Sequence, residues 1–237
     1  MQRYFSTRLK NGYFELSQDD FYHIQTVMRL KERDKIEVVY EKKAYLCCLE
    51  NVNGRVQIKC LEEIQGEEQQ IPEVILCIPL LKEQKMDFVI QKATELGVSK
   101  IIPIRLERSI VKLDSKKESK KIERWNRICK EASEQSKRLS IPVVTEVTEI
   151  TDLKNIDALK IVCSTTCHDF HLQKLLQTHK KCDRILIVIG PEGGITEKEE
   201  KQLFDIGFQP VRLGNNIMRV ETVPIFFLSV INYEYME

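Results

Sequence analysis

The chain is 237 residues long, 42% apolar and 31% charged, with a formal net charge of +1. That length suits one large domain or a small domain followed by a medium one, and the apolar content is too high for a disordered chain. No apolar run reaches the roughly 18 residues of a membrane span, residues 1–10 lack the apolar run of a secretory signal, and the near-neutral total announces no nucleic-acid partner, so a cytoplasmic globular protein without a membrane contact is expected.

Residues 1–70 read as β-rich. Runs of strand formers occupy 35–40, 45–52 and 55–61, and Asn53-Gly54 between the last two is a strong two-residue hairpin signal. In the third run Val56, Ile58 and Cys60 alternate with Arg55, Gln57 and Lys59, which gives one buried and one wet face. The pattern fits a small antiparallel barrel or sheet. The polar stretch 62–70 and then Pro72 mark a linker, so the expected domains are 1–70 and 73–237.

Beyond the linker the rhythm changes to that of an α/β domain with a mostly parallel sheet. Apolar strand-like runs near 74–81, 100–104, 159–163, 185–189 and 210–213 alternate with segments of helical period. Met86, Val89, Ile90, Ala93 and Leu96 mark one helix face closed by Gly97, and Ile122, Trp125, Ile128, Cys129 and Ala132 mark another. From Arg105 to Arg138 twelve Lys/Arg stand against six Asp/Glu, a local excess that a phosphate backbone would feel or that a solvated helix face would carry. The eight cysteines are scattered, often inside apolar runs, and read as reduced core thiols. Cys163, Cys167 and His168 lack a second pair with zinc-ligand spacing, so no metal site is expected.

The most informative segment is the apolar run Ile185-Leu186-Ile187-Val188-Ile189 leading into Gly190-Pro191-Glu192-Gly193-Gly194-Ile195-Thr196. Thr196 with Glu199 makes a capping box, which places the glycine turn between a buried strand's C-terminal end and a helix N-terminus. In open α/β sheets ligands bind at that edge, and glycine lets a ligand reach the backbone. The turn lacks the Lys-Ser/Thr ending of a P-loop and the glycine spacing of a dinucleotide fold. A second loop follows the next strand, with Leu213, Gly214, Asn215, Asn216, Ile217, Met218 and Arg219 leading to Val220-Glu221-Thr222. The helix that starts near Thr222, with Pro224 in its first turn, is apolar nearly all round and needs cover on more than one side.

Together, 189–194, Leu213-Gly214 and 217–222 resemble the signature of the RsmE family, rRNA methyltransferases of the SPOUT superfamily. Residues 91–98, 107–109, 124–125, 131–136 and 27–30 are similar as well, so the likeness runs along nearly the whole chain. The resemblance implies a PUA-like β-barrel that docks RNA and a C-terminal SPOUT-like α/β domain with a trefoil knot. It also implies a homodimer and S-adenosylmethionine held by Gly190, Pro191, Glu192, Gly193, Gly194, Leu213, Gly214, Ile217, Met218 and Arg219. The implied reaction is methylation of N3 of a uridine in 16S rRNA, on free small-subunit rRNA or in the assembled small ribosomal subunit. Asn216 stands where the family usually carries a basic residue.

Uridine N3 must lose its proton as it attacks the cofactor's methyl. Arg219 is the candidate to stabilise the charge that develops on uracil, unless it forms a salt bridge with Glu221; Glu221 or Glu192 is the candidate base. Arg8, Arg29, Arg108, Lys112 and Arg124 are the candidate RNA contacts, and Arg108 and Lys112 are expected to act apart from the glycine loops. Two other readings stay open: a SPOUT-like methyltransferase of another rRNA or tRNA position, and a non-catalytic RNA-binding protein whose glycine loops are only turns.

Overall fold

A computed structural model describes residues 1–64, 71–111, 115–165, 170–180 and 182–235, without the side chains of 115–117. The chain divides into two compact units, Met1–Glu68 with Ser133–Ser140, and Gln69–Ala132 with Ile141–Glu237. The greater part of the expected linker, 65–70, lies outside the described residues.

The first unit holds strands β1 (Arg3–Phe5), β2 (Arg8–Lys10) and β3 (Tyr13–Glu15), a short helix α1 (Gln18–Tyr22), and strands β4 (Lys35–Tyr40), β5 (Lys43–Val52) and β6 (Arg55–Ile64). They form one six-stranded sheet in the order β1-β4-β5-β6-β3-β2, in which only β1 and β4 run parallel. The predicted hairpin is present: Asn53 and Gly54 have φ of 52° and 79°, the consecutive positive values of a type I′ turn. Of the predicted alternation in β6, Ile58 is fully buried and Val56 and Cys60 pack half-buried on the same core as Tyr4, Phe14, Ile36, Val38 and Leu49. Strands β1, β2 and β3 were not among the predicted runs. After α1 the chain makes a π-helical turn at His23–Val27 and reaches Arg29, which is exposed at φ 53°.

The second unit contains strand β7 (Glu73–Pro79), helix α2 (Glu83–Glu95), strand β8 (Lys100–Ile104) and helix α3 (Ser115–Gln135), whose last turn counts with the first unit. Strand β9 (Val143–Val144), a 3-10 turn (Ile150–Asn155), strand β10 (Leu159–Cys163) and helix α4 (Leu172–Thr178) come next. Strand β11 (Arg184–Val188), helix α5 (Glu197–Asp205), strand β12 (Gln209–Val211) and helix α6 (Thr222–Tyr235) complete it. The sheet order is β12-β10-β11-β7-β8-β9, with every pair parallel.

A parallel sheet is covered on both faces, and the residues of β7 and β11 show it. Val74, Leu76 and Ile78 join Ile185 and Ile187 in a core with Met86, Ile90, Trp125 and Phe227. Their neighbours Ile75, Cys77, Leu186 and Val188 enter a second core with Leu153, Leu203 and Phe208 on the other face. The five predicted strand runs correspond to β7, β8, β10, β11 and β12 within about two residues at each end. Helix α2 ends as predicted: Gly97 sits at φ 92° and its N–H donates to the Thr94 carbonyl, while the Val98 N–H donates to that of Ala93. Helix α6 packs on α2, and the Asn232 amide donates to the Leu96 carbonyl at 2.9 Å. Val223, Pro224, Phe227, Leu228 and Ile231 of α6 are buried, Ile225, Phe226 and Val230 are half-buried, and Ser229 and Tyr233 are exposed. Much of the cover that this apolar helix requires comes from its own unit.

Among the described residues no helix is long and apolar enough to cross a membrane. The seven described cysteines are free, and burial pushes the Cys47 thiol up to about 12. Cys167 and His168 of the weighed metal cluster lie outside the described residues, and no group of three potential ligands occurs among the rest.

Candidate functional site

Because the strands run the same way, the connections after β7, β8, β11 and β12 leave from one edge of the sheet, and the glycine turn leads them. Its geometry follows from its residues. A Cβ at Gly190 would lie 2.8 Å from Ile195 Cγ1, so no side chain fits there. Gly194 takes φ 76° and its N–H donates to the Pro191 carbonyl at 2.8 Å, which closes the turn. Thr196 then caps α5 as predicted, its hydroxyl accepting from the Glu199 N–H while its own N–H donates to Glu199 Oε2 at 2.9 Å. The other Glu199 oxygen accepts from the Glu107 N–H at 2.6 Å and so joins the β8–α3 connection to the glycine turn.

That connection carries Arg108, which donates to the Gly193 carbonyl at 2.8 Å. A Cβ at Gly193 would meet Arg108 Cβ at 3.2 Å, which is too close without a shift. Arg108 therefore belongs to the wall of the glycine turn. The expectation that it acts apart from the glycine loops is corrected: its guanidinium is one of the groups that hold the turn.

A residue that sequence reading missed joins the two loops. Lys85, in the first turn of α2, places Nζ 2.8 Å from Glu192 Oε1 and 3.2 Å from Glu221 Oε2. The Lys85 ammonium holds the Glu192 carboxyl below the usual range. Glu221 is lowered mainly by its own backbone N–H and further by Lys85. Both are carboxylates at neutral pH. Their contribution is complete above the ordinary value of 4.5 and is lost as pH falls through their lowered values. Glu221 Oε2 is buried, and Lys85 Nζ stands 3.2 Å from it.

The second loop is braced by its own chain. The Arg212 side chain donates to the Gly214 carbonyl at 2.9 Å, and the Arg212 N–H donates to the Phe170 carbonyl at 2.8 Å. Leu213 and Met218 pack against the core while Ile217 is 86% exposed. A Cβ at Gly214 would touch only Met218 Cε, at 3.8 Å, so this backbone is open to approach. Arg219 is exposed, and its side chain makes no ion pair or hydrogen bond among the described residues. The weighed Arg219–Glu221 salt bridge is absent, and Lys85 takes that place.

The remaining cations differ in how committed they are. Arg124 is bound to Asp87 at 2.6 Å with Glu83 at 3.6 Å, and Arg8 faces Glu15 at 3.4 Å. Arg29 is exposed with no side-chain partner among the described residues, and Lys112 lies outside them. The excess of charge counted along 105–138 is reduced in space by acids from other segments: Glu149 pairs with Arg105, Asp87 with Arg124, and Glu37 with Lys137. Two loops with exposed glycine backbone and two ionised carboxylates beside them suit a small molecule that carries positive charge.

Comparison with known proteins agrees with that chemistry. Residues 67–232 match the family described as RNA methyltransferase domain, and residues 16–60 match the RNA methyltransferase PUA domain. The chain is 35% identical to ribosomal RNA small subunit methyltransferase E of Bacillus subtilis, over 99% of this chain and 97% of that protein. It is 33% identical to the protein of the same name from Mesomycoplasma hyopneumoniae, over 97% and 98% of the two chains. A crystal structure of ribosomal RNA small subunit methyltransferase E from Neisseria gonorrhoeae bound to S-adenosyl methionine superposes with a TM-score of 0.86 at 28% identity, over 99% and 98% of the two chains. With both of its units matched and its length matched end to end, the chain belongs to the ribosomal RNA small subunit methyltransferase E family, on a PUA-like β unit followed by a SPOUT-like α/β unit.

Proposed function

We propose that this chain methylates N3 of a uridine in 16S rRNA of the small ribosomal subunit, with S-adenosylmethionine as methyl donor. The observation that carries this is the pair of glycine loops at the C-terminal edge of a parallel sheet, in a chain of this family. The residues present fit the cofactor. Glycine at 193, 194 and 214 leaves backbone within reach, and the ionised Glu192 and Glu221 complement a cationic ligand. Bound there, S-adenosylmethionine would supply a sulfonium methyl group to the nucleophile, with S-adenosylhomocysteine as the leaving group.

The chain's own residues then have separate tasks. The loops 190–194 and 213–219 would hold the donor, and fixing its position would remove much of the entropic part of the barrier. Arg219, free of any ion pair among the described residues, stabilises the negative charge that develops on uracil as the N3 proton leaves. Glu221 or Glu192 is the candidate to accept that proton; both are ionised beside Lys85.

The first unit docks RNA in this reading, as the PUA match at residues 16–60 supports, with the exposed Arg29 among its candidate contacts. Arg108 and Lys112 are further candidate RNA contacts, while Arg8 and Arg124 stay with their acidic partners. The functional domains are 1–70 and 73–237. A knotted chain path is part of the reading: β11 lies between β7 and β10, and after β12 at the sheet's edge the chain returns to α6 beside α2. So are the cytoplasm, where ribosomal subunits are assembled, and a homodimer that covers the outer face of α6. Tyr233 there is 79% exposed, and Ile217 in the adjoining loop 86%.

The test is to map modified nucleotides in 16S rRNA from cells that lack the protein. One uridine should lose its N3 methyl group and regain it when the gene is restored. A complete set of N3-methyluridines in those cells would remove this function.

A further inference from the structure

Among the described residues Lys85 is the one cation that pairs with both loops. It stands in the first turn of α2, and its ammonium reaches Glu192 in the glycine turn after β11 and Glu221 at the end of the loop after β12. These two carboxylate oxygens are no more than 6.0 Å apart, since they lie within 2.8 and 3.2 Å of one nitrogen. At that separation two unscreened carboxylates repel each other and drive their loops apart. Arg108 holds the glycine turn and Arg212 braces the second loop, each on its own, whereas Lys85 joins the two. Gly193 and Gly194 offer no side chain, Ile217 is 86% exposed, and Asn215 and Asn216 are exposed as well. Helix α2, by contrast, is fixed on the core through Met86, Val89, Ile90 and Ala93, all fully buried. It gives the ammonium a rigid base.

We propose that Lys85 is a positioning residue that clamps the two cofactor loops at their working separation by sitting between Glu192 and Glu221. This rests on the reading of those loops as the S-adenosylmethionine site. Lys85 need not touch the cofactor. It acts by cancelling the repulsion between two acids that the site retains for a cationic ligand, and its removal should weaken binding by letting the loops separate.

The experiment measures S-adenosylmethionine binding to the full chain by calorimetry, with thermal unfolding as a check on the fold. Lys85→Met should bind roughly five- to tenfold more weakly, the size expected of two half-exposed ion pairs lost together. Lys85→Gln is measured beside it and should behave alike. Lys85→Arg, which can still bridge two carboxylates, should bind within about twofold of the unsubstituted chain. The decisive variant is Lys85→Met combined with Glu192→Gln. Measured beside the Glu192→Gln single variant, which loses the attraction of one carboxylate for the cationic ligand, the double variant should lose clearly less affinity than the sum of the two single losses, whereas a packing role for Lys85 gives losses that add. Unchanged or tighter binding by Lys85→Met, or additive losses in the double variant, overturns the proposal while the cofactor site stands. Absence of binding by the unsubstituted chain overturns the cofactor reading and the clamp with it.

Discussion

Gly193 shows how one residue serves two neighbours. Its missing side chain leaves backbone open on one side and lets Arg108 Cβ approach on the other, to a place where an added Cβ would be 3.2 Å away. Gly193→Val should push Arg108 aside, break its hydrogen bond to the Gly193 carbonyl, and weaken S-adenosylmethionine binding roughly tenfold or more, because small shifts in a positioning loop carry large penalties. Arg108→Ala removes only the hydrogen bond and should cost roughly fivefold in cofactor affinity, together with a loss of RNA affinity. Calorimetry with each ligand checks both; an Arg108→Ala chain with unchanged cofactor affinity would detach Arg108 from the site. At this scale the sequence is uneven. A glycine's need for room is legible because Gly190-Pro191-Glu192-Gly193-Gly194 follows an apolar strand and precedes a capping box. The identity of the neighbour is not, because Arg108 and Lys85 are 85 and 107 positions away from their partners. Lys85 could have been suspected: in a parallel sheet each helix after a strand starts at the ligand edge, and the apolar run 74–81 ends just before it.

Among the elements, legibility followed length and periodicity. The five runs that became β7, β8, β10, β11 and β12 were visible, as were α2, α3, α5 and α6. Strands β1, β2, β3 and β9, of two or three residues, show no period of their own, although Asn11-Gly12 carries the same turn signal as Asn53-Gly54 and has φ of 52° and 82°. The basic segment misled in part, because a linear count omits acids that arrive from other segments, such as Asp87 beside Arg124. Helix α6 was read as apolar nearly all round, and its buried side is explained by α2 and the sheet. Its outer side, with Phe226 and Val230 half-buried and Tyr233 exposed, is the part that a second copy would cover. Sedimentation should give twice the chain mass at micromolar concentration, and Phe226→Asp combined with Tyr233→Asp should give a monomer. A monomeric unsubstituted chain would refute the dimer.

For the molecule as a whole, the substrate must be larger than a nucleoside if the PUA-like unit takes part in binding. Its affinity for RNA should then fall steeply with salt, as each neutralised phosphate contributes a log–log slope of about −0.7 to −0.9. The most direct measurement is transfer of a labelled methyl group from S-adenosylmethionine to small ribosomal subunits taken from a strain that lacks the protein, followed by mapping of the labelled base. The account predicts label on N3 of a single uridine of 16S rRNA, with little transfer to short fragments. Label on a ribose hydroxyl or on guanine, or cofactor binding with no transfer to any RNA, would contradict it.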